Sequence, residues 1–260
     1  MYIIYFIVGL GASIVGALAG LGGGVIIKPV LDALGQYHVS TITVLSAATV
    51  FTMSVVSLLK AQSSGVKVKG KLSLIISIGS VIGGVIGKFL FNHIEVIAED
   101  DNLITVIQAG ILAVLMLVIY IFVQYKHKFK TYEIKNHSAI FLVGLILGML
   151  ASFLGIGGGP LNVAILTWLF SLEMKEASIN SIFIIFFSQL STLLTIELTT
   201  GFGRYDLSML KFMILGGILG GFIGSSLAHK LRHTHIQKIF TITLLGIILT
   251  NLYNMIKFFI

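Results

Sequence analysis

Eight stretches of this chain stay apolar long enough to cross a bilayer, and that removes most architectures open to 260 residues. A spanning helix needs about 20 mostly apolar residues, since each adds about 1.5 Å of rise. The stretches run Tyr2–Ala19, Val39–Ala61, Leu72–Phe91, Leu103–Tyr125, Ser138–Leu154, Ala177–Thr199, Leu207–His229 and Ile236–Ile256. Charged residues make up 10% of the chain, against roughly 25% in a soluble domain, so water is not the solvent for this surface. Soluble, disordered, collagen-like and nucleic-acid-binding classes fall together. The expected fold class is an all-α integral membrane protein whose partner is the lipid bilayer.

Two shorter apolar runs, Gly24–Leu34 and Pro160–Leu172, follow the first and fifth stretches, separated from them only by glycine-rich links. No Lys or Arg precedes Lys28, so the first stretch lacks the basic flank of a signal peptide and is expected to be structural. The longest polar connection, Lys126–His137, marks the middle of the chain.

The halves on either side of it resemble each other. At an offset of 135, Gly22-Gly23-Gly24 falls on Gly157-Gly158-Gly159, Gly9-Leu10 on Gly144-Leu145, Gly20 on Gly155 and Leu31 on Leu166. At 137, the stretch from Gly79 to Gly87 meets the stretch from Gly216 to Gly224, and all four of its glycines find glycine. Two homologous four-segment repeats are therefore expected, at 1–125 and 138–260, joined by a cytoplasmic linker at 126–137. Duplication of this kind is the common architecture of secondary transporters, with the binding site between repeats near the midplane.

Two topologies remain. If each glycine-broken region crosses once, the loops at 60–71, 126–135 and 204–211, with Lys257, gather 11 of 17 basic residues on one side. If each folds back as a hairpin, the repeats are inverted and 60–71, 126–135, 175 and 230–238 gather 12 of 17. In both, Lys60, Lys67, Lys69, Lys71 and the cluster from Lys126 to Lys135 are cytoplasmic by the positive-inside rule. The acidic stretch Glu95, Glu99, Asp100, Asp101 faces the other side.

Consecutive glycines inside an apolar segment cost roughly 1 kcal/mol each relative to alanine in a helix. They make sense where the backbone leaves the helix. Pro160 suits the first turn of a new one, where its missing N–H is no loss. Each half-helix then begins at depth with unpaired N–H groups and a positive dipole end, which attract an anion. Gly22, Gly23, Gly24, Gly157, Gly158 and Gly159 are accordingly expected to bind it. The four-spaced Gly79/Gly83/Gly87 and Gly216/Gly220/Gly224 read instead as helix-packing positions.

These two glycine segments and the duplicated eight-segment layout resemble the TauE/SafE-type sulfite exporter family over essentially the whole chain. The most specific part is Gly-Ile-Gly-Gly-Gly-Pro-Leu-Asn at 155–162, followed by 20–29. The family often has proline four or five residues after the glycines; Pro29 supplies it in the first copy, whereas Ala164 stands there in the second. The resemblance implies transport of a sulfur-containing anion such as sulfite or a sulfonate, by a multi-pass protein of a prokaryotic plasma membrane. It leaves the anion, the direction and the coupling ion unnamed.

Further polar residues stand in apolar surroundings. Lys28, one turn past the first glycine run, either contacts the anion or pairs with Asp32 at i+4 and snorkels outward. Asn162, Asn180, Ser188 and Gln189 form the polar set of the second half; at offset 137, Thr43 falls on Asn180 and Thr52 on Gln189. Neutral donors suit an oxyanion that must bind and still be released, so Asn162, Asn180 and Gln189 join the expected site. Glu197 reads as interfacial. His229, His233 and His235 lie among Lys230, Arg232 and Lys238, whose charge opposes a metal ion, so neither metal nor other cofactor is expected. With no Walker motif and no acid–base pair or nucleophile elbow, the chain reads as a gradient-driven transporter of a small-molecule anion and not an enzyme. The alternatives are an anion channel, or a membrane subunit working with a partner protein; homo-oligomerisation is left open.

Overall fold

A computed structural model of the chain describes residues 2–63, 68–98 and 101–259. Among these the secondary structure is helical: α1 (Tyr2–Ala19), α2 (Gly24–Leu34), α3 (Val39–Ser63), α4 (Gly70–Ala98), α5 (Asp101–Gln124), α6 (His137–Leu154), α7 (Gly159–Leu169), α8 (Met174–Thr199), α9 (Leu210–Lys230) and α10 (His233–Phe259). Eight of these helices are long and apolar enough to span a bilayer. The other two, α2 and α7, have 11 residues each, about 16 Å of rise, and reach only part of the way.

Glycine dictates which helices pair. In α9, β-carbons on Gly216, Gly220 and Gly224 would collide with the backbone of α1 at Phe6, Leu10 and Ile14. Gly9 of α1 is pressed in turn against Met213. In the other seam Gly79, Gly83 and Gly87 of α4 meet Phe141, Leu145 and Met149 of α6, and Gly144 meets Ile76. Contacts correspond residue by residue at the two sequence offsets. In both seams the numbering rises together, so α1 runs parallel to α9 and α4 parallel to α6. The first helix of each half thus packs most extensively on a helix of the other half.

The glycine-broken regions fold back. Gly23 lies beside Ala12 and Gly16 of α1. Past the end of α2, Gln36 accepts a hydrogen bond from Tyr5 in the first turns of α1 (2.5 Å). Likewise Gly158 lies beside Ala151 of α6, and the end of α7 bonds to the chain that leads into α6, Tyr132 N–H to the Trp168 carbonyl (2.8 Å) and Ile134 N–H to that of Leu169 (3.1 Å). Each short helix therefore returns to the side where its predecessor began, and the two halves run in opposite directions. Helices α1, α3, α5 and α9 start on one side; α4, α6, α8 and α10 start on the other.

Among the described residues the second side carries Lys60, Lys69, Lys71, the four lysines of 126–135, Lys175 and the three basic residues of 230–238, 11 in all, and is the side that the positive-inside rule expects in the cytoplasm. Lys67, Glu99 and Asp100 lie outside the described residues. Many large apolar side chains, among them Ile7, Leu74, Ile78, Val114, Leu142, Leu198 and Ile242, remain exposed on the outer faces of the long helices. Such a surface is stable against acyl chains and not against water.

Candidate functional site

The chain leaves the helix at each break through left-handed backbone, a conformation that costs an L side chain but not glycine. Gly20, Gly22 and Gly23 have φ of 73°, 79° and 72°, and Gly155, Gly157 and Gly158 of 66°, 70° and 76°. Gly23 and Gly158 stand directly before the first turns of α2 and α7, and Pro160 follows in the first turn of α7. The two turns come together inside the protein. A β-carbon on Gly159 would strike the Leu21 carbonyl, and one on Gly24 would stand 3.0 Å from the Ile156 carbonyl oxygen and 3.1 Å from Ser46 Oγ. Only glycine fits in this double crossing.

Serines of α8 take up the carbonyls of the turns. Ser181 Oγ donates to the oxygens of Gly20 (2.7 Å) and Gly159 (3.3 Å), and Ser178 Oγ to that of Ala19 (3.0 Å). The amides are left over. Among the described residues no acceptor receives the N–H of Gly24 or Val25 at the start of α2, or of Gly159 or Leu161 at the start of α7. All four residues are buried. Two helix N-termini thus bring unbonded donors and the positive ends of their dipoles to one place.

Asn162 (2% exposed) lies in the first turn of α7, its amide beside Gly158. Gln189 (5% exposed) points its amide nitrogen at Gly157, 2.7 Å from where a β-carbon would stand. Gln189 also lines a small cavity with Thr43, Ser152, Ser188, Thr192 and Lys88 that leaves about 20 Å³ to the centre of a water molecule. A counterpart of about 30 Å³ lies toward the basic side, lined by Ala17, Ser57, Ser178, Ser225, Lys175 and His229. Its Ala17, Ser178 and Ser225 correspond to Ser152, Thr43 and Lys88 at offsets of 135, 135 and 137. Either has room for about one water.

Asn180 is elsewhere. It stands near the N-terminal end of α8, where its Oδ1 accepts from Lys69 N–H (2.8 Å) and Ser73 Oγ (2.6 Å) and its Nδ2 donates to the Glu176 carbonyl (2.7 Å). The residue that matches Thr43 by contact is Ser178: Thr43 packs on Gly155 and Ser178 on Gly20, the first glycine of the opposite break. Lys28 is 3% exposed and does not snorkel outward. Its ammonium donates to Gln108 Oε1 and to the Leu154 carbonyl (3.1 Å), and lies 3.2 Å from the β-carbon position of Gly155. Gln108 Nε2 donates in turn to the Phe153 carbonyl (2.6 Å). The buried Lys28 side chain therefore caps the carbonyl end of α6 at the point where the second break begins.

Sequence reasoning passed over Lys88 and Gln108. Lys88 follows Gly87 near the end of its apolar segment, where a lysine ordinarily snorkels, and a single glutamine near a segment end carries no pattern. The signal for Lys88 was its position as the lone charge within Leu72–Phe91.

This chain matches the family described as Sulfite exporter TauE/SafE over residues 5–250. It is also similar to the probable membrane transporter protein YunE of Bacillus subtilis (strain 168), 27% identical over 208 residues that cover 73% of this chain and 76% of that one. No solved structure matches it. With eight spanning helices, two glycine-broken re-entrant helices and a family match over nearly its full length, the chain is a multi-pass cell-membrane protein that belongs to the TauE/SafE family of membrane transporters.

Proposed function

We propose that this transporter carries a small sulfur-containing oxyanion, sulfite, a sulfonate or a close relative, bound between the N-termini of α2 and α7. The observation that carries the reading is the convergence of unbonded, buried N–H groups from Gly24, Val25, Gly159 and Leu161. Fixed amide dipoles in a dry site stabilise an anion without a full countercharge, and so still release it. The amides of Asn162 and Gln189 supply further donors, while Lys28 and Lys88 set a positive potential from a short distance. The glycines, Gly22, Gly23, Gly24, Gly157, Gly158 and Gly159, bring the backbone within reach, since no β-carbon intervenes.

Small cavities on both flanks support a carrier that alternates between two open states and not a channel. The opposed seams, α1 on α9 and α4 on α6, are the most extensive helix pairings and suit two units that rock against each other in such a carrier. We read no chemistry into the site beyond binding and release, so the protein is taken as a carrier and not an enzyme.

The test is uptake by proteoliposomes of sulfite, thiosulfate, sulfate, taurine and an arylsulfonate, with and without a pH gradient. Saturable uptake of one sulfur oxyanion, with KM raised in Gln189→Leu and Asn162→Ala, is expected. Uptake that does not saturate would replace the carrier with a channel. No uptake by folded protein would remove the sulfur anion as cargo.

A further inference from the structure

A roomy open crevice lies away from the glycine breaks, on the basic side of the protein. About 660 Å³ is open between the start of α4, the linker before α6 and the end of α7. None of its lining residues belongs to either cavity beside the breaks. Its polar wall is Lys69, Lys71, Lys135 and His137, with Glu133 as the one carboxylate. Lys69 is shared with Glu176, 3.9 Å away and half exposed. Two long helices, α4 at Gly70 and α6 at His137, begin in this wall and turn their positive dipole ends toward it.

The wall is held in place from behind. Asn180 fixes the backbone of Lys69, and its bond to Ser73 Oγ fixes the first turn of α4. Asn136 Oδ1 accepts from Ser138 N–H (2.9 Å) and caps α6. The linker bonds to Trp168 and Leu169, and Ser171 Oγ donates to the Tyr132 carbonyl (2.9 Å). The lysines therefore project from pinned backbone into an open space large enough for a phosphate with its glycerol.

The remaining walls decide which phosphate. Leu72, Ile75, Ile140 and Phe170 line the membrane-ward end of the crevice. Ile78 and Ile82, three and seven residues on from Ile75 along α4, are exposed and carry the apolar face of that wall on along the helix. A free phosphate has no use for that track; a diacyl lipid does. On the side that the positive-inside rule assigns to the cytoplasm, the crevice opens on the leaflet whose anionic lipids attract Lys and Arg.

We propose that this crevice is a binding site for an anionic phospholipid of the cytoplasmic leaflet, its phosphate among Lys71, Lys135 and the N-termini of α4 and α6, its chains along the α4–α6 seam. The site is independent of the transported anion.

Native mass spectrometry of the full chain released from nanodiscs tests it, with phosphatidylglycerol against phosphatidylcholine as the lipid. Lys71 and Lys135 are exposed, so Lys71→Gln/Lys135→Gln is expected to fold with an unchanged melting temperature in lipid-free detergent. Retained phosphatidylglycerol should fall at least fivefold in that variant and stay at the wild-type level in Arg204→Gln/Lys211→Gln on the opposite side. Equal retention of phosphatidylcholine, or equal loss in both variants, overturns the proposal. Inorganic phosphate that displaces phosphatidylglycerol at equal concentration would reassign the crevice to a free anion. If Lys71→Gln/Lys135→Gln proves unstable, Lys71→Arg/Lys135→Arg must retain phosphatidylglycerol, and its failure to do so would also overturn the lipid site.

Discussion

The carbonyl of Leu21 is seated against the α-carbon of Gly159, so that the turn entering α2 and the first residue of α7 occupy one crossing. The converse contact, Ile156 against Gly24, completes it. Gly159→Ala is expected to lower stability by about 1–3 kcal/mol, the usual cost of overpacking a closed site. Gly11→Ala in α1 and Gly246→Ala in α10, where nothing lies within 4 Å of the new methyl, should instead add about 1 kcal/mol through helix propensity. Melting temperatures in detergent distinguish the two classes.

The glycine seams make a paired prediction. Gly83→Ala and Gly220→Ala strike the corresponding backbone carbonyls, those of Leu145 and Leu10. Each should destabilise by about 1–3 kcal/mol, and the two losses should add, because the seams lie in different helix pairs. A large loss for one and none for the other would contradict the correspondence of the two halves.

Asn180 and Gln189 should separate stability from transport. Asn180→Ala removes two hydrogen bonds at the start of α4 and one within α8 and should cost about 2 kcal/mol or more, with KM unchanged in whatever protein folds. Gln189→Leu, similar in volume, should leave the melting temperature within a few degrees and raise KM about tenfold, the equivalent of one hydrogen bond to a charge. A shift in KM for Asn180→Ala would return that residue to the site.

Lys28 and Gln108 act as a pair. Lys28→Met and Gln108→Leu should each lower stability by about 1–3 kcal/mol, since each leaves a buried polar partner unsatisfied. The double variant should cost less than the sum by at least about 1 kcal/mol, since each single change strands the other partner. Strict additivity in urea or thermal unfolding would show that the two side chains do not depend on one another.

The eight spanning segments were legible because a bilayer imposes a length, and their expected limits agree with the helices to within a few residues except at the far end of α4, which runs on to Ala98. Counting charges did not choose between the two topologies, since 11 and 12 basic residues weigh the same. The choice lies in stereochemistry: successive left-handed glycines turn the chain through a tight reversal, which brings Gly23 beside Ala12 and Gln36 beside Tyr5. Asn180 illustrates what residue type alone conceals. An asparagine at depth binds a ligand or bonds neighbouring helices with the same three atoms, and only its surroundings, here Lys69, Ser73 and Glu176, distinguish the two. Lys28 is similar: with Asp32 one turn away, helical spacing suggests an ion pair, yet the nearest acceptors come from α5 and α6, remote in sequence and invisible to local pattern.

The exchanged seams also bear on how such a protein is made. Helix α1 leaves the ribosome some two hundred residues before the stretch Gly216–Gly224 that fits it exists, and its glycine face waits in the bilayer without that partner. The α4–α6 seam, by contrast, closes as soon as the second half begins to emerge. Assembly therefore has a built-in order, with one seam as an early clasp across the midpoint of the chain and the other sealed only when synthesis is nearly complete. A chain interrupted after the linker would expose both halves of that stitching to whatever else the membrane contains.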